Sequence, residues 1–252
     1  MSEVVVILPA YNEASRLEAL LDRIRAAMGE QPYRIVAVDD GSRDATAAIL
    51  QRRSSDLPIV TITHAVNRGL AETLFDGLRW VADHCGDDDV AIMMDADDTH
   101  DPRYIAELVA KIRAGYDVVI ASRFRGITVV GVPAHRRLFS YAVFVLLRVL
   151  MPIPGVRDYA CGYRAVRARL VRQAVQHFGE QLLELRQWGF ICTAELLWKL
   201  STLGARCTEV PFELRYDLKE SPSRMRALRT IAGYGLLAWK SRSVRARPGA
   251  PG

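Results

Sequence analysis

Between Val4 and Ala114 the chain repeats one pattern four times: a short apolar, β-rich run, a polar loop, and a stretch with apolar residues at helical spacing. Val4 to Leu8 is apolar without interruption, as in a strand covered on both faces. After the loop "PAYNE", Leu17, Leu20, Leu21, Ile24 and Met28 recur at helical period, with Ser15 and Glu18 at capping-box spacing. The second round takes Arg34 to Val38 as strand and Ala45 to Arg53 as helix; the third takes Ile59 to Thr63 and then "NRGLAETLFDGLRWVADH". The fourth runs Val90 to Met94 into "DADDTHDP" and a helix from Tyr104 to Ala114. This alternation predicts an α/β fold whose mostly parallel, right-handedly wound sheet carries helices on both faces. Ligands of such sheets sit at the carboxyl ends of the strands, so "PAYNE", "DDGS" and "DADDTHD" are expected to converge on one site.

Beyond Ala114 the rhythm loosens. A strand Asp117 to Ala121, a glycine-rich link Gly126 to Pro133 and an apolar helix Leu138 to Met151 come first. The segment "DYACGYRAVRARLV", a helix Thr193 to Leu203, a short strand within "CTEVPFELRY" and a helix Met225 to Lys240 complete the reading. The expected division is one domain over 1–224, an amphipathic helix over 225–240 and a flexible basic tail over 241–252. Cys85, Cys161, Cys192 and Cys207 form no CxxC pair, which argues for reduced, partly buried thiols rather than a zinc knuckle or a disulfide framework. The start "MSEVVVILPAYNE" has no basic leader, and Arg148, Pro152 and Pro154 break the longest apolar stretch short of a bilayer crossing. The chain is therefore expected in the cytoplasm, free or peripheral on the cytoplasmic face of a membrane. From Arg215 onward nine Lys or Arg stand against only Asp217 and Glu220, within a net charge of +5, which points to an anionic partner. Nucleic acid is not that partner, since no aromatic-basic stripe accompanies the charge.

The segment "IMMDADDTHDP" drives a strand into four acids. In an extended segment residues i and i+2 point the same way, so Asp95 and Asp97 share a face while Ala96 keeps the turn open for a ligand. Two carboxylates without His or Cys ligands suit a hard cation, Mg²⁺ or Mn²⁺, leaving positions for phosphate oxygens and water. Asp101, before Pro102, reads as a helix N-cap; Asp98 reads as solvated, His100 as a solvated turn residue in preference to a metal neighbour, and His64, His84, His135 and His177 show no partner spacing. No GxxxxGK[ST] and no GxGxxG follows the first strand, so a diphosphate would be held through the cation rather than a glycine cradle.

Taken in order, "ILPAYNEASRL", "VAVDDGSRDAT", "NRGLAETLFDGL", "MDADDTHDP", "IASRF", "DYACGYRA" and "EVPFELRYDLKESPSRM" resemble the family 2 glycosyltransferases, most of all the dolichyl- and polyprenyl-phosphate mannosyltransferase branch. The resemblance implies the GT-A fold, with its Rossmann-like sheet. It implies metal-dependent, inverting transfer of a sugar, mannose or glucose, from a donor such as GDP-mannose or UDP-glucose to a polyprenyl phosphate. By position, Pro9, Tyr11, Glu13, Asp39 and Asp40 would contact base and ribose, with Asp95 and Ala96 completing the nucleotide side and Asp95 and Asp97 holding the metal. Arg123, Arg136, Ser140, Arg215 and Lys219 would receive the acceptor phosphate, and Asp97, Arg123, Lys219 and Arg224 would serve the transfer itself. Members of the branch without spans of their own can be tethered by a small membrane subunit. The sequence departs from the branch at Thr99, where Gln is usual, at Cys161, where Ser is usual, and in a loop one residue longer that carries Arg224 for Lys.

A phosphate monoester is largely dianionic at neutral pH and needs cations, not a base; a hydroxyl acceptor needs a general base in reach. Where relatives that glycosylate hydroxyls carry a Glu-Asp pair, this chain has Cys192 and Thr193, which favours the phosphate. The alternative is a glycosyltransferase acting on a hydroxyl, with Glu195 or Asp158 as base; a non-catalytic nucleotide-sugar-binding subunit is more remote. The helix Leu138 to Met151 is either buried in the core or rests at a membrane surface.

Overall fold

The computed structural model describes residues 2–124, 141, 144–188, 191–213, 232–237 and 239–241. The apolar runs become β1 (Val4–Ala10), β2 (Tyr33–Asp39), β3 (Ile59–Thr63), β4 (Val90–Met93) and β5 (Val118–Ser122). Two further strands follow, β6 (Arg164–Arg167) and β7 (Cys207–Pro211). The helices are α1 (Ala14–Met28), α2 (Thr46–Arg53), α3 (Leu70–His84), α4 (Ile105–Arg113), α5 (residues 144–150), α6 (Ala168–Phe178) and α7 (Ile191–Thr202).

All seven strands form one sheet in the order β3-β2-β1-β4-β6-β5-β7. β1 pairs in parallel with β2 on one side, Ala10 opposite Asp39, and with β4 on the other, Ile7 opposite Met93. The chain thus winds outward from β1 through β2 to β3 and returns to β4 across the start, which makes the β1/β4 seam the point where the winding reverses and a crevice opens. β1 buries nearly every side chain, as its unbroken apolar run requires. α3 lies so close to it that a Cβ on Gly77 would stand 2.4 Å from Ile7 Cγ2.

One local expectation is corrected. Ser15 and Glu18 form no capping box: Glu13 is the N-cap of α1 and makes no capping bond with its side chain. The amides of Glu13 and Ala14 donate instead to Thr46 Oγ1 (2.9 Å), at the start of α2, and Asp44 Oδ2 (3.1 Å), in the loop before it, so the cap is tertiary. The segment "DYACGYRAVRARLV" contains β6, which runs antiparallel between β4 and β5, and the start of α6.

α5 divides the two readings given for its sequence. Leu147 and Met151 are fully buried, while Tyr141, Val145, Leu146 and Val149 are exposed. In the last described helix, Tyr234 and Leu237 join the core and Trp239 projects outward. Among the described residues no helix is long and apolar enough to cross a membrane. The four cysteines are free and buried, and burial pushes each thiol up to about 12, as expected for inert structural thiols.

Candidate active site

The loops after β1 and β2 are sewn together. Asn12 N–H donates to Ser42 Oγ (2.9 Å), and Asn12 Oδ1 accepts from Arg43 N (2.8 Å). Gly41, at φ 70°, lies so close to Val66 that a Cβ would meet its carbonyl carbon at 2.7 Å. Pro9, Tyr11, Glu13 and Asp39 are brought to this shared edge, with Asp39 Oδ1 accepting from Ser42 N (3.1 Å).

Asp40 does something else. It is buried; Oδ1 accepts from Arg68 N (2.7 Å), Oδ2 from Gly69 N (2.8 Å), and Oδ1 lies 2.7 Å from His64 Nδ1. Its carboxylate fastens the start of α3 to the loop after β2. His64 Nε2 reaches Asp76 at 2.8 Å, so His64 has two carboxylate partners that sequence spacing did not reveal.

β4 delivers the acidic loop beside β1, with Met94 N bonded to Ile7 O (3.3 Å). Asp95 and Asp97 are half-buried, while the Ala96 methyl is sunk in the core, which limits Ala96 to backbone contacts. Pro9, Met94, Asp95, Gly162, Arg164 and Thr193 line one cleft. The other acids are accounted for by the fold. Asp101 caps a 3-10 turn by accepting from Arg103 N (3.0 Å), as its place before Pro102 predicts. Asp98 is not solvated: it adopts φ 61° and is ion-paired with Arg23, whose other nitrogen lies 3.1 Å from Asp101. Burial pushes the Asp98 carboxyl up, against the pull of Arg23. Asn12 and Asp98 are the two non-glycine residues with positive φ among the described residues, and both stand in loops of this edge.

Thr99, the departure from the branch pattern, donates to Asp97 Oδ1 through both N (3.2 Å) and Oγ1 (2.6 Å). His100 is 4 % exposed and lies face to face with Tyr163 at 5.0 Å, which corrects its reading as a solvated turn residue. Among the described residues no group of three or more His, Cys, Asp or Glu gathers as a metal cage. Two half-buried carboxylates on one loop fit a hard divalent cation that takes its remaining ligands from phosphate and water.

Directly after β5, Arg123 forks onto Asp158, with Nε at 2.7 Å from Oδ2 and Nη2 at 2.7 Å from Oδ1. Asp158 also accepts from the amides of Arg123 and Cys161 (3.1 Å each). Burial alone would raise its carboxyl, but Arg123 holds it below the ordinary value. Glu209 on β7 pins the loop from beneath through Arg157 N and Asp158 N, both at 2.6 Å. Glu195 is equally occupied. It accepts from Glu184 N (3.0 Å) and Leu185 N (2.9 Å) and pairs with Lys199 (3.0 Å). Both carboxylates are 1 % exposed, so neither is placed to take a proton from a ligand in the cleft. Arg136, Ser140, Arg215, Lys219 and Arg224 lie outside the described residues.

The family model described as Glycosyl transferase family 2 matches residues 5–174. A dolichol-phosphate mannosyltransferase of Pyrococcus furiosus is 34 % identical over 83 % of the chain, which spans 56 % of that relative's length. An undecaprenyl-phosphate mannosyltransferase of Micrococcus luteus is 30 % identical, with 82 % of each chain covered. Among solved structures, glucosyl-3-phosphoglycerate synthase from Mycobacterium tuberculosis, in complex with Mn²⁺, UDP and phosphoglyceric acid, superposes with a TM-score of 0.60 at 20 % identity. That match covers 100 % of this chain and 80 % of the other, and its likeness speaks for the fold alone.

Proposed function

The chain belongs to glycosyl transferase family 2 and has the GT-A fold, and from that footing we propose that it transfers mannose or glucose from a nucleotide-diphosphate sugar to a polyprenyl phosphate. The observation that carries the acceptor choice is the burial and saturation of Asp158 and Glu195, the two acids a hydroxyl acceptor would have recruited as base. A phosphate oxygen arrives already anionic, its second pKa being about 6, and asks only to be positioned. Two relatives whose names specify dolichol phosphate and undecaprenyl phosphate support the same choice.

In this reading Pro9, Tyr11, Glu13 and Asp39 hold the nucleoside, and Asp95 and Asp97 hold Mg²⁺ or Mn²⁺ against the diphosphate. The cation, when bound, supplies charge stabilisation at the departing oxygen. Thr99 aims Asp97, and Arg23 offsets Asp98 and Asp101, so that the loop's surplus negative charge does not compete at the site. Arg123 offers the acceptor a guanidinium whose direction Asp158 fixes, with Arg136, Ser140, Arg215, Lys219 and Arg224 as its partners in the proposal. Tyr141, Val145, Leu146 and Val149 give the chain an apolar face for peripheral contact with the bilayer that carries the lipid, or with a small membrane subunit.

The test is incubation of the purified chain with Mn²⁺, undecaprenyl phosphate in detergent, and radiolabelled GDP-mannose or UDP-glucose in turn. Metal-dependent label in the solvent-extractable lipid is expected. Label appearing only on a water-soluble hydroxyl acceptor would overturn the lipid phosphate reading.

A further inference from the structure

We propose that His100 is a positioning residue of the metal loop, acting as the hydrogen-bond acceptor that fixes the peptide from which Asp95 projects. This rests on the reading of Asp95 and Asp97 as cation ligands and adds to it a part of the machinery that touches neither substrate nor cation. The Asp95 amide lies 2.9 Å from His100 Nδ1. A backbone N–H can only donate, so Nδ1 must be the unprotonated nitrogen, and the ring proton of the neutral imidazole sits on Nε2. Nε2 lies 3.8 Å from Asp95 Oδ2, too far for a hydrogen bond but near enough for that polar edge to face the carboxylate.

The ring itself has little freedom. It stacks on Tyr163 and meets the edge of Phe212 at 5.7 Å; Tyr163 in turn donates its hydroxyl to Asp101 O at 2.9 Å, closing the acidic loop on itself. Gly162 completes the enclosure, since a Cβ there would stand 3.7 Å from Asp95 Oδ1 and 3.9 Å from His100 Cε1. Asp95 lies two residues beyond the end of β4, and His100 holds its amide there. Its anchor, Tyr163, sits immediately before β6, so the first metal ligand is referenced to the sheet through a buried aromatic stack.

Two substitutions separate the bond from the stack. H100F keeps a ring between Tyr163 and Phe212 and removes the acceptor; H100N keeps an acceptor near the Nδ1 position and removes the ring. Mn²⁺ binding is read by electron paramagnetic resonance, alone and with GDP or UDP, beside circular dichroism to verify folding. Expected are a loss of about 10–100-fold in Mn²⁺ affinity for H100F and retention within about threefold for H100N. Wild-type affinity in H100F, or an equal loss in both variants, overturns the proposal. Absence of Mn²⁺ binding by the wild type overturns the cation reading itself, and the role of His100 with it. In the wild type, with no variant needed, ¹⁵N spectra of labelled histidine at neutral pH should show an unprotonated Nδ1 at His100. A protonated Nδ1 there refutes the bond directly.

Discussion

At the scale of single residues the site is defined as much by the carboxylates that are taken as by those offered to a ligand. Glu195 makes the sharpest case, because a carboxylate that accepts two backbone amides and a buried lysine cannot also serve as a base without giving them up. Replacing it with Gln turns an amide NH₂ toward a backbone N–H. The expected outcome is a stability loss of about 2 kcal/mol in urea titration with the turnover of the folded protein unchanged. A fall in turnover of about a hundredfold or more would reinstate Glu195 as a general base. The Asp158–Arg123 pair predicts a pH dependence. Its carboxyl is depressed in the folded chain, so the pair contributes fully above the ordinary carboxylate range and loses its contribution as pH falls toward the lowered native value. Wild-type stability should therefore drop below about pH 4, whereas D158N, weaker at neutral pH, should show a flatter acid limb. These roles were hidden in the sequence because the partners are remote: His64 meets residues 24 positions before and 12 after it, and Arg23 reaches the acidic loop across 75 positions.

At the scale of elements, what could be read in advance followed from periodicity. β1, β2, β4, β5 and the helices between them announce themselves, because a doubly covered strand is apolar nearly throughout and an amphipathic helix must repeat its apolar face, while β3, at the sheet edge and half-buried or exposed along its length, is legible from its β-branched residues alone. β6 defeats the same logic. It carries Arg164 and Arg167, and Arg164 is wholly buried, its guanidinium spent on the carbonyls of Cys161, Thr193 and Tyr159. Local spacing also misassigned the start of α1, since its orphan amides are satisfied from the start of α2 and the loop before it. Thr46→Ala should accordingly cost about 0.5–2 kcal/mol, while Ser15→Ala should stay within about 0.5 kcal/mol. Chemical denaturation of the two variants side by side checks this, and the reverse ranking would restore the capping box.

At the scale of the whole molecule, the crevice at the β1/β4 seam and the exposed side of α5 belong to one surface problem, how a chain with no crossing helix among its described residues would reach the lipid-borne phosphate proposed as its acceptor. Val149 is 72 % exposed and Trp239 67 %, more than solvation alone would favour for side chains of that size. Val145→Glu with Val149→Glu is expected to reduce co-sedimentation with anionic phospholipid vesicles severalfold while leaving the melting temperature unaltered. Unchanged sedimentation would remove α5 from the contact surface. The order of the strands has one more outcome, which concerns synthesis. Among the described residues β5 pairs only with β6 and β7, and β4, held by β1 on one side, waits for β6 on the other, so a nascent chain that has emerged as far as Ser122 carries one apolar strand with no neighbour and a second with one edge open. Until Arg164 to Arg167 leaves the ribosome, those edges are open to mispairing, and a holding chaperone is the expected companion of this interval.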